Sequence, residues 1–208
     1  MSRPSFRSVL ACVVVAAVCV SFNAHPGAAQ RTPPIERFEA RAQETAGPRP
    51  TNAGPVEIAL ERWSSEADEE NVRKAIGGGS DAMLSALKNM SSAVGVLISP
   101  GVQATGDRAR GRRRQPLLFA RDIKTPQGRR VILATDEHVE FAGGMKERGR
   151  PTKNELTFID IRFDAAGKGV GKMGSASDVT YNKQTKTIEL GKYDKAPSDL
   201  IDVRPMKR

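Results

Sequence analysis

Residues 156–163 read Leu156-Thr157-Phe158-Ile159-Asp160-Ile161-Arg162-Phe163, and the chain continues through Asp164-Ala165-Ala166-Gly167 into Lys168-Gly169-Val170-Gly171-Lys172-Met173. Ile159, Ile161 and Phe163 fall on one face and Phe158, Asp160 and Arg162 on the other, the period-two pattern of a strand with one buried and one wet face. Asp164–Gly167 suits a type I turn with a glycine bulge, so the two halves pair antiparallel. The rest of the chain has to be compatible with that hairpin.

Moving outward, the same period recurs in Gly95–Ser99, Leu117–Ile123, Arg129–Thr135, Lys168–Met173, Ser177–Tyr181, Thr187–Leu190 and Leu200–Val203. Thr125-Pro126-Gln127-Gly128 puts Pro and Gly at the second and fourth positions of a type I turn, and Asn182–Thr185 closes another hairpin. Val56, Ile58 and Leu60 form a first strand that ends at Trp63, a tryptophan placed to pack the core. Between these β segments, Ser64-Ser65 caps an acidic helix start, Arg73 and Lys74 complement its end, and Gly77-Gly78-Gly79 stops it. Ser80 caps a second helix, with Met83, Leu84, Leu87 and Met90 in one stripe. The predicted class is α+β: an antiparallel β-meander, curled into a sandwich or barrel, with a helical hairpin inserted after its first strand.

The ends of the chain carry a different message. Arg3 and Arg7 precede an unbroken apolar run, Val9–Val20, and Gly27-Ala28-Ala29 offers small residues before a cut at Gln30. Residues 1–29 therefore read as a secretory signal, with a run well short of the roughly 20 residues a membrane-spanning helix needs. Cys19 follows the bulky Val18, which argues against lipid attachment. Residues 30–54, rich in Pro and mixed charge, read as a disordered linker, and 55–208 as one α+β domain. No transmembrane helix is expected once the signal is cut, and the location is secreted or periplasmic.

Export restricts the chemistry. Cys12, Cys19 and His25 leave with the signal, so the mature chain is expected to be cysteine-free, with His138 as its one imidazole. Thiolate nucleophiles, Cys-ligated zinc and two-histidine metal sites are excluded on that reading, and no cofactor or metal is expected. The formal charge is +9, and losing Arg3 and Arg7 leaves the remainder basic. Anionic envelope components or acidic polysaccharide are the partners this charge fits outside the cytoplasm. Nucleic acid fits poorly, because no aromatic residue stands among the arginines for bases to stack on.

Two stretches offer candidate sites. Arg108, Arg110, Arg112, Arg113 and Arg114 crowd residues 106–115, where a mobile loop of guanidinium groups would clamp phosphate or carboxylate. Beyond Thr135, strand alternation would put Asp136, His138 and Glu140 on one face, with Glu137 turned aside; an imidazole and two carboxylates can order a water or hold a hard cation. Other motifs fail on their context. Ala166–Met173 approaches a phosphate loop but has Met173 where the hydroxyl belongs, and reads as a glycine-rich hairpin. Ser85-Ala86-Leu87-Lys88 matches S-x-x-K without its partner motifs, and Gly78–Ala82 lacks a preceding strand.

Arg62-Trp63-Ser64-Ser65, Gly128-Arg129-Arg130-Val131-Ile132-Leu133-Ala134-Thr135-Asp136 and Ile159–Asp164 running into Gly167–Lys172 together resemble an uncharacterised family of secreted bacterial proteins. The resemblance spans Val56 to Val203 and implies an exported domain with no known activity. It departs at Glu137-His138, where the family has Arg-Pro, and in the number of arginines at 108–114. No catalytic residue carries over.

The sequence thus predicts an exported, non-catalytic binding or envelope-associated module. One alternative is a hydrolase or metal-assisted enzyme using Asp136, His138 and Glu140. Another is a β-barrel carrier of a small apolar ligand, its cavity lined by Ile132, Ile159, Phe163 and Leu190.

Overall fold

Ten strands join in one antiparallel hydrogen-bonded network in a computed structural model, which describes residues 33–45, 51–100, 112–139, 156–184, 187–193 and 196–206. The side chains of residues 51–53 and 177 lie outside that description, as does the segment read as a signal. In chain order the elements are β1 (Glu36–Glu44), β2 (Thr51–Leu60), α1 (Glu66–Ile76), α2 (Gly79–Lys88), β3 (Gly95–Pro100), β4 (Arg112–Leu117), β5 (Phe119–Thr125), β6 (Gly128–Thr135), β7 (Thr157–Phe163), β8 (Gly169–Asn182), β9 (Thr187–Tyr193) and β10 (Ser198–Pro205). The expected α+β antiparallel architecture is the observed one.

The wall runs β4-β3-β2-β1-β10-β8-β7-β6-β5, with β9 added to the far half of β8. Only Leu118 separates β4 from β5, and its N–H donates to Ala134 O at 2.9 Å, so the two strands act as one bent stave that nearly closes a barrel. With β4 and β5 merged, the nine strands of the path make eight staves, a number whose interior side chains just fill. Above the bend no backbone ladder joins β4 to β6 among the described residues.

Two cores follow from this closure. Inside the barrel pack Phe38, Ile58, Leu60, Leu97, Leu117, Val131, Leu133, Ile159, Ile161, Phe163, Met173, Leu200 and Val203, with Trp63 and Val139 against them. Outside, Phe119, Ile132, Phe158 and Ala176 are covered by Val72, Met83 and Leu87 of the helices and Ile188 of β9. The face of β7 expected to be wet is therefore covered along part of its length. Phe158 is buried, and Asp160 meets Arg130, whose Nε and Nη2 donate to it at 2.8 and 3.0 Å.

Local signals explain most elements. Ser65 caps α1 in a capping box with Asp68, and Ser64 exchanges hydrogen bonds with Ala120 that fix the helix start to β5. Burial alone would raise the Asp68 carboxyl, but the Ser65 N–H and hydroxyl and the Arg62 guanidinium outweigh it and hold it below its usual range. Gly128 has φ 143°, and a Cβ there would sit 2.2 Å from Phe163 O, so only glycine closes that turn.

Several boundaries differ from the sequence reading. Residues 36–44 are not linker: β1 sits between β2 and β10 and buries Phe38, Ala40 and Ala42. Small alanines between charged neighbours dilute the hydrophobic period there, while the strand gains ladder bonds on both edges. The helical hairpin consequently follows the second strand. α2 starts at Gly79 after Gly78, without a side-chain cap, so Ser80 lies inside it. Lys168–Met173 and Ser177–Tyr181 fuse into the single β8.

Candidate functional site

The inward-facing positions of the barrel change character from one end to the other. At the end where β1 begins, Arg129 faces inward beneath Phe38, Trp63 and Phe163, its guanidinium 5.4–5.8 Å from the three ring centres. Glu36 binds it through both oxygens at 2.5 and 2.7 Å, and Asp122 accepts from its Nε at 2.7 Å. These bonds, Glu36 first, raise the Arg129 pKa far above its ordinary value against partial burial. This end is plugged.

At the opposite end, where β3, β6 and β1 finish, the inward-facing residues are polar. Ser99, Gln115, Thr135, Thr157 and Ser198 are all buried, and strand pairing puts Ser99 across from Arg113 and Gln115 across from Leu97. Thr157 Oγ1 donates to Glu137 O at 2.9 Å, and Ser198 Oγ donates to Glu44 Oε1 at 2.8 Å. Gln115 Nε2 donates to His138 O at 3.0 Å, and Arg113 Nη2 reaches Glu137 Oε2 at 3.5 Å. These last two contacts cross the seam between β4 and the end of β6, where side chains stand in for a ladder.

Ser99 Oγ and Gln115 Oε1 are buried and have no hydrogen-bond partner among the described residues. An unsatisfied buried polar atom forfeits about 1–3 kcal/mol of hydration, so each position calls for a hydrogen-bond partner that the described residues do not supply. Ser99 Oγ can give or accept a bond, whereas an amide oxygen only accepts. These two atoms lie above an apolar floor of Leu97, Leu117, Leu133, Ile159 and Met173.

The sequence candidates land around this end without forming the sites expected of them. Arg112–Arg114 belong to β4, so alternation splits them instead of massing them in a loop. Arg113 turns to the mouth; Arg112 lies on the outer wall with Glu57 at 3.2 Å; Arg114 is exposed opposite Ile98. Arg108 and Arg110 lie outside the described residues. β6 stops at Thr135, so the alternation assumed for Asp136, His138 and Glu140 has no strand under Asp136 and His138. Glu140 lies outside the described residues, and Glu137, set aside in the sequence reading, is the carboxylate that meets Arg113. Among the described residues no cluster of three His, Cys, Asp or Glu side chains is placed to hold a metal.

The four residues expected to line an apolar cavity part company. Ile159 and Phe163 point into the barrel, while Ile132 and Leu190 pack outside it, because Leu133 is the residue opposite Ile159. Ser85 Oγ donates to Asp81 O within α2, which ties down the S-x-x-K hydroxyl. Ser99 and Gln115 escaped the sequence reading. Their signal is a polar residue two positions from an inward leucine on a paired strand, visible only once the pairing is known.

No protein-family model matches the chain, and neither a curated protein nor a solved structure matches it. No helix among the described residues is long and apolar enough to cross a membrane.

Proposed function

We propose that the protein is an exported, non-catalytic binding module whose barrel takes a small hydrogen-bonding guest at its polar end. The observation that carries this reading is the pair of buried, unpartnered atoms Ser99 Oγ and Gln115 Oε1. A filled and plugged barrel with a polar layer at one end supports binding over turnover. Asp136 and His138, the described two of the three residues offered for catalysis, lie beyond the end of β6.

Export rests on the leader at 1–29, and cleavage before Gln30 would leave a chain without cysteine. The charge of +9 and the exposed Arg112, Arg113 and Arg114 at the rim of this end support an anionic envelope surface, such as acidic polysaccharide, as the module's surroundings. Salt-sensitive retention on heparin, lost when all three become Ala, is the expected behaviour; unchanged retention removes that surface from the reading.

Mass analysis under non-denaturing conditions, on protein recovered from the exported fraction, tests the whole proposal. The expected species starts at Gln30 and carries a small molecule that the double variant Ser99→Ala, Gln115→Met no longer retains. A bare mass in both proteins, or retention by both, overturns the binding end. A mass that includes Met1 overturns export.

A further inference from the structure

On the outer wall of the barrel, β1, β2, β10 and the start of β4 line a depression of about 260 Å³ whose charged lining is Glu39, Arg41, Glu57, Arg112, Asp202 and Arg204. Glu39 and Glu57 stand directly opposite each other across the β1–β2 ladder, a like-charge pairing that costs stability unless each is matched. Each is matched: Arg204 Nε lies 3.3 Å from Glu39, and Arg112 Nη2 lies 3.2 Å from Glu57. That leaves Arg41 and Asp202 as the charged groups of the lining with no ion pair among the described residues.

Asp202 is held there at a cost. It is the one described non-glycine residue with positive φ, at 53°, and the register slips beside it on both edges of β10, between Glu39 and Arg41 of β1 and between Leu200 and Val203 against β8. The bulge throws an extra residue outward, and a left-handed backbone strains any side chain by about 1–3 kcal/mol. Glycine would remove that strain. Arg41, on the neighbouring strand, pairs with Ile201, next to Asp202 in sequence.

We infer that this depression binds a small zwitterion, with its anionic oxyacid group on the Arg41 guanidinium and its primary ammonium on the Asp202 carboxylate. A planar guanidinium takes carboxylate or phosphate through two parallel N–H donors. A carboxylate only accepts, so it calls for N–H donors, which a quaternary ammonium lacks. The flanking Arg204–Glu39 and Arg112–Glu57 pairs are internally neutral, so the lining has no net preference for a bare anion or a bare cation. The same chemistry occurs on a free solute and on an aminophosphate lipid headgroup.

O-phosphoethanolamine is the probe, titrated by NMR or calorimetry into the full mature domain, with inorganic phosphate and ethanolamine as its separate halves. It is expected to bind saturably and about tenfold or more tighter than either half, because two linked contacts share one loss of freedom. Arg41→Gln and Asp202→Asn are each expected to weaken it about tenfold. Asp202→Gly is expected to lose the same affinity with its melting temperature unchanged or raised, which separates loss of the ligand contact from loss of the fold.

Vesicles distinguish the sources. Sedimentation with phosphatidylethanolamine-containing vesicles but not with pure phosphatidylcholine assigns the site to a lipid headgroup; binding of the free compound without sedimentation assigns it to a solute. Phosphate binding as tightly as the whole compound, affinity unmoved by Arg41→Gln and Asp202→Asn, or no saturable binding overturns the inference. None of these outcomes bears on the polar barrel end, whose binding test rests on Ser99 and Gln115.

Discussion

Ser99→Ala is the sharpest probe of the polar barrel end. Ser99 is 1% exposed, Arg113 stands across from it with the Leu97–Gln115 pair next along the same face, and its Oγ has no partner among the described residues. Alanine removes one oxygen and keeps the β-carbon, so packing hardly changes, whereas the desolvation penalty of an unpaired hydroxyl, about 1–3 kcal/mol, is relieved. Taking the low end, since alanine is a slightly poorer strand former, the empty protein gains about 1 kcal/mol. For a domain of this size that raises Tm by about 2–4 °C. The assay is thermal and urea unfolding after exhaustive dialysis, with the unfolding slope m checked for constancy. Protein that has kept its guest responds in the opposite sense, because there the hydroxyl is paired. A fall of about 2 °C or more in the dialysed variant would show that Ser99 Oγ is already hydrogen-bonded, and would refute the reasoning.

The remaining predictions concern the outer wall and the turn at the opposite end. Arg130 and Asp160 have side chains 9% and 11% exposed, so Arg130→Leu leaves the Asp160 carboxylate only the exposed Arg162 at 3.4 Å, at a cost of up to about 3–5 kcal/mol, while Arg130→Leu with Asp160→Leu recovers most of it; equal losses in single and double variants, by urea unfolding, would contradict this. Burial, and then the Asp160 charge, push the Tyr193 phenol up to about 12, so the folded state holds that proton longer than the unfolded chain. Its stabilisation is complete below about pH 10, the unfolded value, and is lost as pH climbs toward 12, and Tyr193→Phe should flatten that alkaline decline. Gly128→Ala should destabilise by about 1–3 kcal/mol or more, since its Cβ would meet Phe163 O at 2.2 Å; an unchanged denaturation midpoint would mean the turn can re-form.

Much of the architecture could be read from periodicity. Strand alternation marked β2, β3, β6, β7, β9 and β10; Asp164–Gly167 and Thr125–Gly128 marked two turns; Ser65 and Asp68 marked the start of α1. These signals are local, fixed by the backbone dihedrals and by side chains a few residues apart, so they survive without knowledge of the partner strand. β1 was missed because its inward residues are mostly alanine, which adds too little apolar area to show a period, and its stability comes from two neighbours distant in sequence.

The candidate end was less legible. Arg112-Arg113-Arg114-Gln115 reads as a charged loop, yet pairing with β3 makes it a strand and turns Gln115 inward. Alternation assigns residues to two faces but cannot say which face is the inside, nor that both are covered, as they are for Ile159 and Phe158. The order of the strands, the bend at Leu118 that nearly closes the wall, and the two buried atoms left without partners were decided by tertiary structure alone. Hydrogen bonds across a seam and burial inside a barrel depend on groups more than 20 residues apart in the chain, and no short-range pattern records them.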